Sequence, residues 1–417
     1  MKYPYEKFYK EVEEKLKDAI RKNYGIDFEL KIEKQKVGDA SFPCFSLAKI
    51  VKKGANEVAE ELSVIRGELI KRCEAINGYV NFYIDENKVA EEVIELIDEM
   101  KDNFGGFEKK SIRVIVEHTS ANPNGPLHVG RARNPIIGDT LARILKFGGY
   151  DVITQYYVDN MGKQVAILFW GVKNLKISNE KKKRDHFFVE YYKKAYEMME
   201  KDERIRREIE EIVRKCETGC EEILNEVRKV YEEVLEGIKE SLKNINITID
   251  EFVEESRFIK DVEKLINEIS SSPYIKREEN ALYLDLEKFG IHGRDKKFFL
   301  TRRDGTSLYA LRDVAYHIWK GNKADLMINI LGEDHKLEAK CVEIILKILN
   351  KKIPENIFYA FVSLPEGKMS TRKGRVIYLD DLIEEAIGRA REEVKKRRKD
   401  DKIEYIARNV AIGAIRY

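Results

Sequence analysis

Residues 112–158 constrain the fold of this chain more than any other stretch. Residues 112–117 (IRVIVE) are a short apolar run, the pattern of a strand buried in a parallel sheet. A loop rich in Ser, Asn, Pro and Gly follows, a helix begins near His128, and residues 151–158 (DVITQYYV) read as the next strand. Strand, Gly/Pro loop, helix, strand is a βαβ unit. It predicts an α/β fold with a doubly wound parallel sheet and a site at the C-terminal ends of the strands.

The flanking segments obey other patterns. Tyr5, Phe8, Val12, Leu16 and Ala19 recur at helical spacing behind Pro4, and Gly25 ends that helix. Residues 28–32 alternate like a strand, Gly38 and Asp39 mark a turn, and 57–62 reads as helix. Residues 79–84 look like another strand, and Val89, Val93, Leu96, Ile97 and Met100 stripe a further helix. Residues 1–105 are thus expected to be a separate N-terminal α+β domain, closed by a Gly-Gly, basic linker. Residues 109–174 form the first half of the sheet domain. The Lys/Glu-rich residues 175–280 read as a helical insertion, and sheet features resume over 281–356, with Asp304 and Gly305 as a hairpin turn. Residues 357–400 carry a basic loop and helix, and 401–417 open another helical region.

Charge excludes some partners. The 77 Lys+Arg and 75 Asp+Glu leave a net charge of +2, so nucleic acid would have to be met by local basic patches. The longest apolar run, 165–170, is far below the ~18–20 residues of a membrane span. The charged N-terminus lacks the apolar core of a secretory signal. The expectation is a soluble intracellular protein with no membrane partner. Glutamine occurs three times (Gln35, Gln155, Gln164) amid abundant Lys and Glu, a bias resembling hyperthermophile proteins. The five cysteines do not form a disulfide framework, and Cys216 and Cys220 have no second pair for a zinc site, so no metal site is expected.

Two constellations carry chemistry. Residues 117–131 (EHTSANPNGPLHVGR) lie where a strand hands over to a helix, and the free N–H groups of a helix start suit phosphates. Gly130 permits close approach of a nucleotide, His128 can donate to a phosphate oxygen, and Arg131 adds a charge-assisted contact. Neither a Walker loop nor a GxGxxG fingerprint is present. Alone, such a loop is more often just a connection. Residues 367–374 (GKMSTRKG) set three cations between glycines, and could close on a polyphosphate. Alone, this would read as an exposed basic turn.

Together the two segments resemble the signature motifs of the class I aminoacyl-tRNA synthetases, the arginyl class in particular. HIGH corresponds to His128, Val129, Gly130 and Arg131, and KMSKS to Lys368, Met369, Ser370, Thr371 and Arg372. Residues 159–164 (DNMGKQ), 304–313 (DGTSLYALRD), 332–335 (GEDH) and 412–417 (IGAIRY) resemble the same family, in order along the chain. The resemblance implies a Rossmann-like catalytic domain with a helical insertion, in a cytoplasmic, monomeric, archaeal or thermophilic type of enzyme. It would activate L-arginine with ATP and Mg²⁺ and transfer it to tRNA(Arg). Implied catalytic residues are His128, Arg131, Lys368, Arg372 and Lys373. Glu117, Asn122, Tyr309, Asp313 and Gln164 would surround arginine. His128, Gly130, Glu333, Lys368, Met369 and Ser370 would surround ATP. The N-terminal domain would contact the tRNA corner. Family members continue past the IGAIRY segment into a helical anticodon-binding domain, so the expectation is a chain lacking most of that domain, still binding ATP and arginine but charging tRNA poorly.

Two positions depart from the family pattern. Arg131 replaces the second His of the first motif, and Thr371 the second Lys of the other, leaving Arg372 or Lys373 to stand in. On charge alone, a site for a planar five-donor cation needs carboxylates, and Asp313 lies one helical turn after Tyr309 on the same face. Outside the resemblance, Asp313 would read as a partner of Arg312, and Glu117 as a strand-end cap. Two other functions fit the motifs less well: an adenylate-forming paralogue without tRNA charging, and a non-catalytic RNA-binding protein.

Overall fold

Val114, Ile115 and Val116 are fully buried between neighbouring parallel strands, which is why this segment shows no polar alternation. The computed structural model describes residues 3–33, 37–178, 183–292, 296–360, 362 and 376–417. It divides into two units, Met1–Gly106 and Phe107–Tyr417.

In the first unit, helix α1 (Pro4–Tyr24) starts with Pro in its first turn and ends at Gly25, whose φ of +67° is the left-handed conformation that closes a helix. It buries Phe8, Val12, Leu16 and Ile20 in one core with Phe42, Val80 and Phe82. Strand β1 (Ala40–Pro43), helices α2 (Phe45–Val51) and α3 (Ala55–Leu62), strands β2 (Ile70–Ile76) and β3 (Tyr79–Ile84), and helix α4 (Glu86–Met100) complete it. The antiparallel sheet runs β1-β3-β2. Residues 28–32 are not a strand: Phe28, Leu30 and Ile32 alternate because they pack on this core, without a ladder partner.

The second unit begins β4 (Arg113–Glu117), α5 (Val129–Phe147), β5 (Asp151–Val158) and α6 (Lys163–Asn174). Helices α7 (Arg184–Lys201), α8 (Glu203–Glu217) and α9 (Glu221–Asn244) follow, their apolar faces sharing a core with α6. Cys216 and Cys220 are free thiols, and burial pushes the Cys216 thiol up to about 12. The helical character does not extend to residue 280. Strand β6 (Glu251–Glu254) pairs in parallel with β5, helix α10 (Ile259–Ser270) follows, and β7 (Ile275–Glu278) joins β8 (Ala281–Asp285) and β9 (Lys297–Phe299) in a small antiparallel sheet. The expected turn stands at Asp304 and Gly305, where Gly305 has φ +85°. Then come α11 (Tyr309–Gly321), β10 (Leu326–Gly332), α12 (Lys336–Ile348), β11 (Glu355–Tyr359), α13 (Leu379–Lys395) and α14 (Ile403–Arg416).

The main sheet is all parallel, in the order β11-β10-β4-β5-β6. The chain leaves β4 for β5 on one side and later returns to place β10 on the other. A crevice therefore opens between the C-terminal ends of β4 and β10. Arg416 of α14 bonds Asp139 of α5 at 2.5 Å, anchoring the last helix to the one that starts at this crevice. No described helix is long and apolar enough to cross a membrane.

Candidate active site

The strand that ends at Glu117 delivers the chain into a tight, strained turn. Thr119 and Ser120 have φ of +72° and +35°, conformations that cost a non-glycine residue about 1–3 kcal/mol. Asn134 of α5 holds the turn. Its Oδ1 accepts from the Thr119 N–H at 2.6 Å, and its Nδ2 donates to the Ile330 carbonyl of β10 at 2.8 Å. Ser120 Oγ donates to Glu117 at 3.1 Å and accepts from the Tyr157 N–H at 3.0 Å.

This turn borders a cavity of about 620 Å³ at the switch point, whose walls include Tyr157 of β5 and residues 329–332 of β10. His128, Gly130 and Arg131 bring the start of α5 to it, and Glu117, Asn122, Gln164, Tyr309 and Asp313 also line it. Eight of the residues singled out from sequence therefore share one cavity. Glu333 does not line it; its carboxylate pairs with Lys336 at 3.1 Å, and Gly332, Asp334 and His335 face the cavity instead. Lys368, Met369, Ser370, Arg372 and Lys373 lie outside the described residues. The chain that follows them is placed: the Val129 N–H donates to the Ile377 carbonyl at 2.9 Å and the Leu379 N–H to the Leu127 carbonyl at 2.8 Å, so His128 and Tyr378 face each other as an antiparallel bridge.

His128 is the N-cap of α5, and its buried Nδ1 has no hydrogen-bond partner among the described residues. Burial, reinforced by Arg131, lowers its imidazole to about 4, so it is neutral near pH 7 and can donate one hydrogen bond.

The opposite wall is acidic. Burial would push the Asp313 carboxyl up, but His317 first, and then Lys320, hold it below the ordinary carboxylate range. Glu117 is neutralised by Lys320, 2.8 Å away, so its charge is already matched within the protein. Arg312 turns away from Asp313 to Glu255, at 2.5 Å, and also lies 3.8 Å from Glu217. Adjacent helix positions point about 100° apart, so Arg312 and Asp313 serve different partners. Two carboxylates share that one guanidinium. Burial, together with the charge of Asp159, pushes the Glu255 carboxyl up to about 8 against the pull of Arg312.

Sequence reasoning missed Glu255 and Tyr157 and gave Asp159, the first residue of the 159–164 segment, no role; all three line the cavity. The buried Tyr157 hydroxyl has no partner among the described residues. The hint for Tyr157 was the aromatic pair at residues 156–157. The site thus joins a helix start with neutral His128 and cationic Arg131 to a wall carrying Asp313 and Glu255. One end suits phosphates, the other an extended cation.

The family described as tRNA synthetases class I (R), catalytic domain, matches residues 95–417, and the arginyl tRNA synthetase N terminal domain matches residues 7–84. The chain is 46% identical to an arginine–tRNA ligase of Methanocaldococcus jannaschii, over 96% of this chain and 72% of that protein. It is 43% identical to one of Methanothermobacter thermautotrophicus, over 98% of this chain and 74% of that protein. Among solved structures, arginyl-tRNA synthetase of Thermus thermophilus superposes with a TM-score of 0.63 at 27% identity, over 97% of this chain and 74% of that one.

Proposed function

Because the chain belongs to the arginyl class of the class I aminoacyl-tRNA synthetases, and its function is the ATP-dependent ligation of arginine to tRNA(Arg), we propose how its cavity divides that work. Arginine extends its guanidinium toward Asp313, Glu255 and the Tyr157 hydroxyl, with Tyr309 beside it. Its α-carboxylate lies toward Asn122, Gln164 and the start of α5, where ATP is held by His128, Gly130 and Arg131. The observation that carries this reading is the acidic wall: an ionised Asp313 and the buried carboxyl of Glu255, whose ionisation a further cation would favour, line one cavity.

Arginine's carboxylate attacks the α-phosphorus of ATP in line, the bond to the β-phosphate oxygen breaks, and pyrophosphate departs, leaving arginyl-adenylate. No general base is needed, because the nucleophile is already ionised. Catalysis is positioning plus stabilisation of charge on the phosphate. His128 donates as a neutral imidazole, Arg131 supplies the fixed cation, and the family motif assigns Lys368, Arg372 and Lys373 to the phosphate charge. The terminal 2′-hydroxyl of tRNA then attacks the adenylate carbonyl and AMP leaves.

The donor set does not suit a protein-held Mg²⁺. Among the described residues the one cluster with metal-ligand spacing, Asp185, His186 and Asp380, lies off the cavity lining and already holds the Lys183 ammonium, 2.9 Å from Asp380. We assign Mg²⁺ to the ATP phosphates as part of that substrate. The enzyme acts as a cytoplasmic monomer in this reading.

The test is formation of arginyl-tRNA from arginine, ATP and tRNA(Arg) by wild type and Asp313→Asn. Charging by the wild type with an arginine KM raised at least a hundredfold in the variant is expected. An unchanged KM would refute the assigned pocket.

A further inference from the structure

The two pocket carboxylates Glu117 and Asp313 sit on different elements, yet an unbroken string of side chains connects them. Lys320 is fully buried, and its Nζ donates to Glu117 Oε2 at 2.8 Å and to Asn329 Oδ1 at 2.7 Å. Asn329 is the cross-strand neighbour of Glu117, on β10. An ammonium only donates, so the amide oxygen of Asn329 must face Lys320. Its nitrogen therefore faces the other way, 2.9 Å from His317 Nε2 and 2.9 Å from Asn356 Oδ1. An amide nitrogen only donates in turn, so His317 Nε2 must accept. The imidazole proton then resides on Nδ1, which lies 2.8 Å from the Asp313 carbonyl and 3.1 Å from its carboxylate.

Asp313, His317 and Lys320 are i, i+4 and i+7 on α11, one stripe of that helix. None of the three intermediates is an assigned ligand of arginine or ATP. The ammonium at one end nevertheless dictates every donor direction along the string.

We propose that Lys320, acting through Asn329, is a positioning residue that holds His317 as the neutral Nδ1–H tautomer. Asp313 then meets one neutral N–H, 2.8 Å from its carbonyl and 3.1 Å from its carboxylate, and keeps its full negative charge for the substrate. A doubly protonated His317 would instead pair with Asp313 as an imidazolium and cancel that charge. Glu117 is the anchor of Lys320 at the other end of the string. The inference rests on the arginine reading of the pocket and adds the residues that keep it selective.

Asn329→Asp tests it. The variant presents an oxygen to His317 Nε2, so that nitrogen must take a proton and the ring becomes an imidazolium. With ¹⁵N-histidine-labelled protein, which has only six histidines, the His317 signals are assigned by their loss in His317→Asn. The wild type should show the neutral Nδ1–H pattern and Asn329→Asp the doubly protonated one. In tRNA-supplemented ATP–pyrophosphate exchange, the arginine KM of Asn329→Asp should rise at least tenfold, with the ATP KM within twofold of wild type. A wild-type His317 protonated on Nε2 overturns the inference, and that measurement needs only the native fold. A folded Asn329→Asp with unchanged spectrum and arginine KM also overturns it. A wild type that activates no arginine would instead overturn the functional reading, whatever the histidine spectrum shows.

Discussion

The ammonium of Lys320 lies 2.8 Å from the carboxylate of Glu117, an ion pair shut away from solvent between α11 and the sheet. Such a pair contributes little net stability while intact, but breaking it strands a charge. Glu117→Gln should therefore destabilise the protein by about 3–5 kcal/mol in urea unfolding at pH 7. Glu117→Gln with Lys320→Met should recover more than half of that loss, because no charge remains buried. A double variant less stable than the single one would show that the pair holds the fold through something other than mutual neutralisation.

Glu255 gives arginine binding a pH signature. Its carboxyl, raised to about 8, is largely protonated at pH 7, while guanidinium stays charged throughout. Arginine meets the ionised form, so affinity should rise with pH by about tenfold between pH 7 and 9, following the ionised fraction. Calorimetric titration of arginine across that range checks this. Glu255→Gln should bind more weakly and lose the dependence; a wild type whose affinity is flat, or falls with pH, would remove Glu255 from the binding wall.

For His128, lowered to about 4, the expectation is the reverse: no titration between pH 6 and 8. His128→Ala should slow single-turnover adenylate formation by about 10²–10³ with little change in arginine affinity, the loss typical of a donor to developing charge. His128→Asn, which can still donate, should retain part of the rate. Full activity in the alanine variant would exclude the role.

Asp380 ties the start of α13 to the start of α7 through Lys183 and His186, each at 2.9 Å. Burial alone would raise its carboxyl, but His186 and Lys183 bring it down to about 2. A carboxyl lowered on folding adds stability that is complete above its unfolded value, about 4, and disappears as pH falls toward 2. Asp380→Asn should cost about 2 kcal/mol at pH 7, and the gap from wild type should close between pH 4 and 2. A gap that stays constant down to pH 2 would mean that the ion pairs contribute nothing.

The central βαβ unit could be read from sequence because its signals are local: a buried apolar run, a Pro/Gly loop and a helix start within some fifty residues. Residues 79–84 and 151–158 were legible as strands for the same reason. Strand β6 was not, since four residues (EFVE) in a charged stretch show no period, and only pairing with β5 makes them a strand. Residues 28–32 erred in the other direction: alternation reports one buried face, and a loop packed on a core has one too. The cavity's first wall followed from its motif, whereas nothing local in the sequence set Glu255, Lys320 and Asn329 apart. Their meaning lies in partners 57 and 203 residues away, Arg312 for Glu255 and Glu117 for Lys320, which no periodicity reports.

The acidic wall should decide which amino acid the enzyme activates. ATP–pyrophosphate exchange measured with each of the twenty amino acids and with citrulline, in the presence and absence of tRNA(Arg), tests it directly. Exchange with arginine alone, strengthened by tRNA and absent with the isosteric but uncharged citrulline, is the predicted result. Exchange with citrulline at a rate comparable to arginine, or none with arginine when tRNA is present, would contradict it.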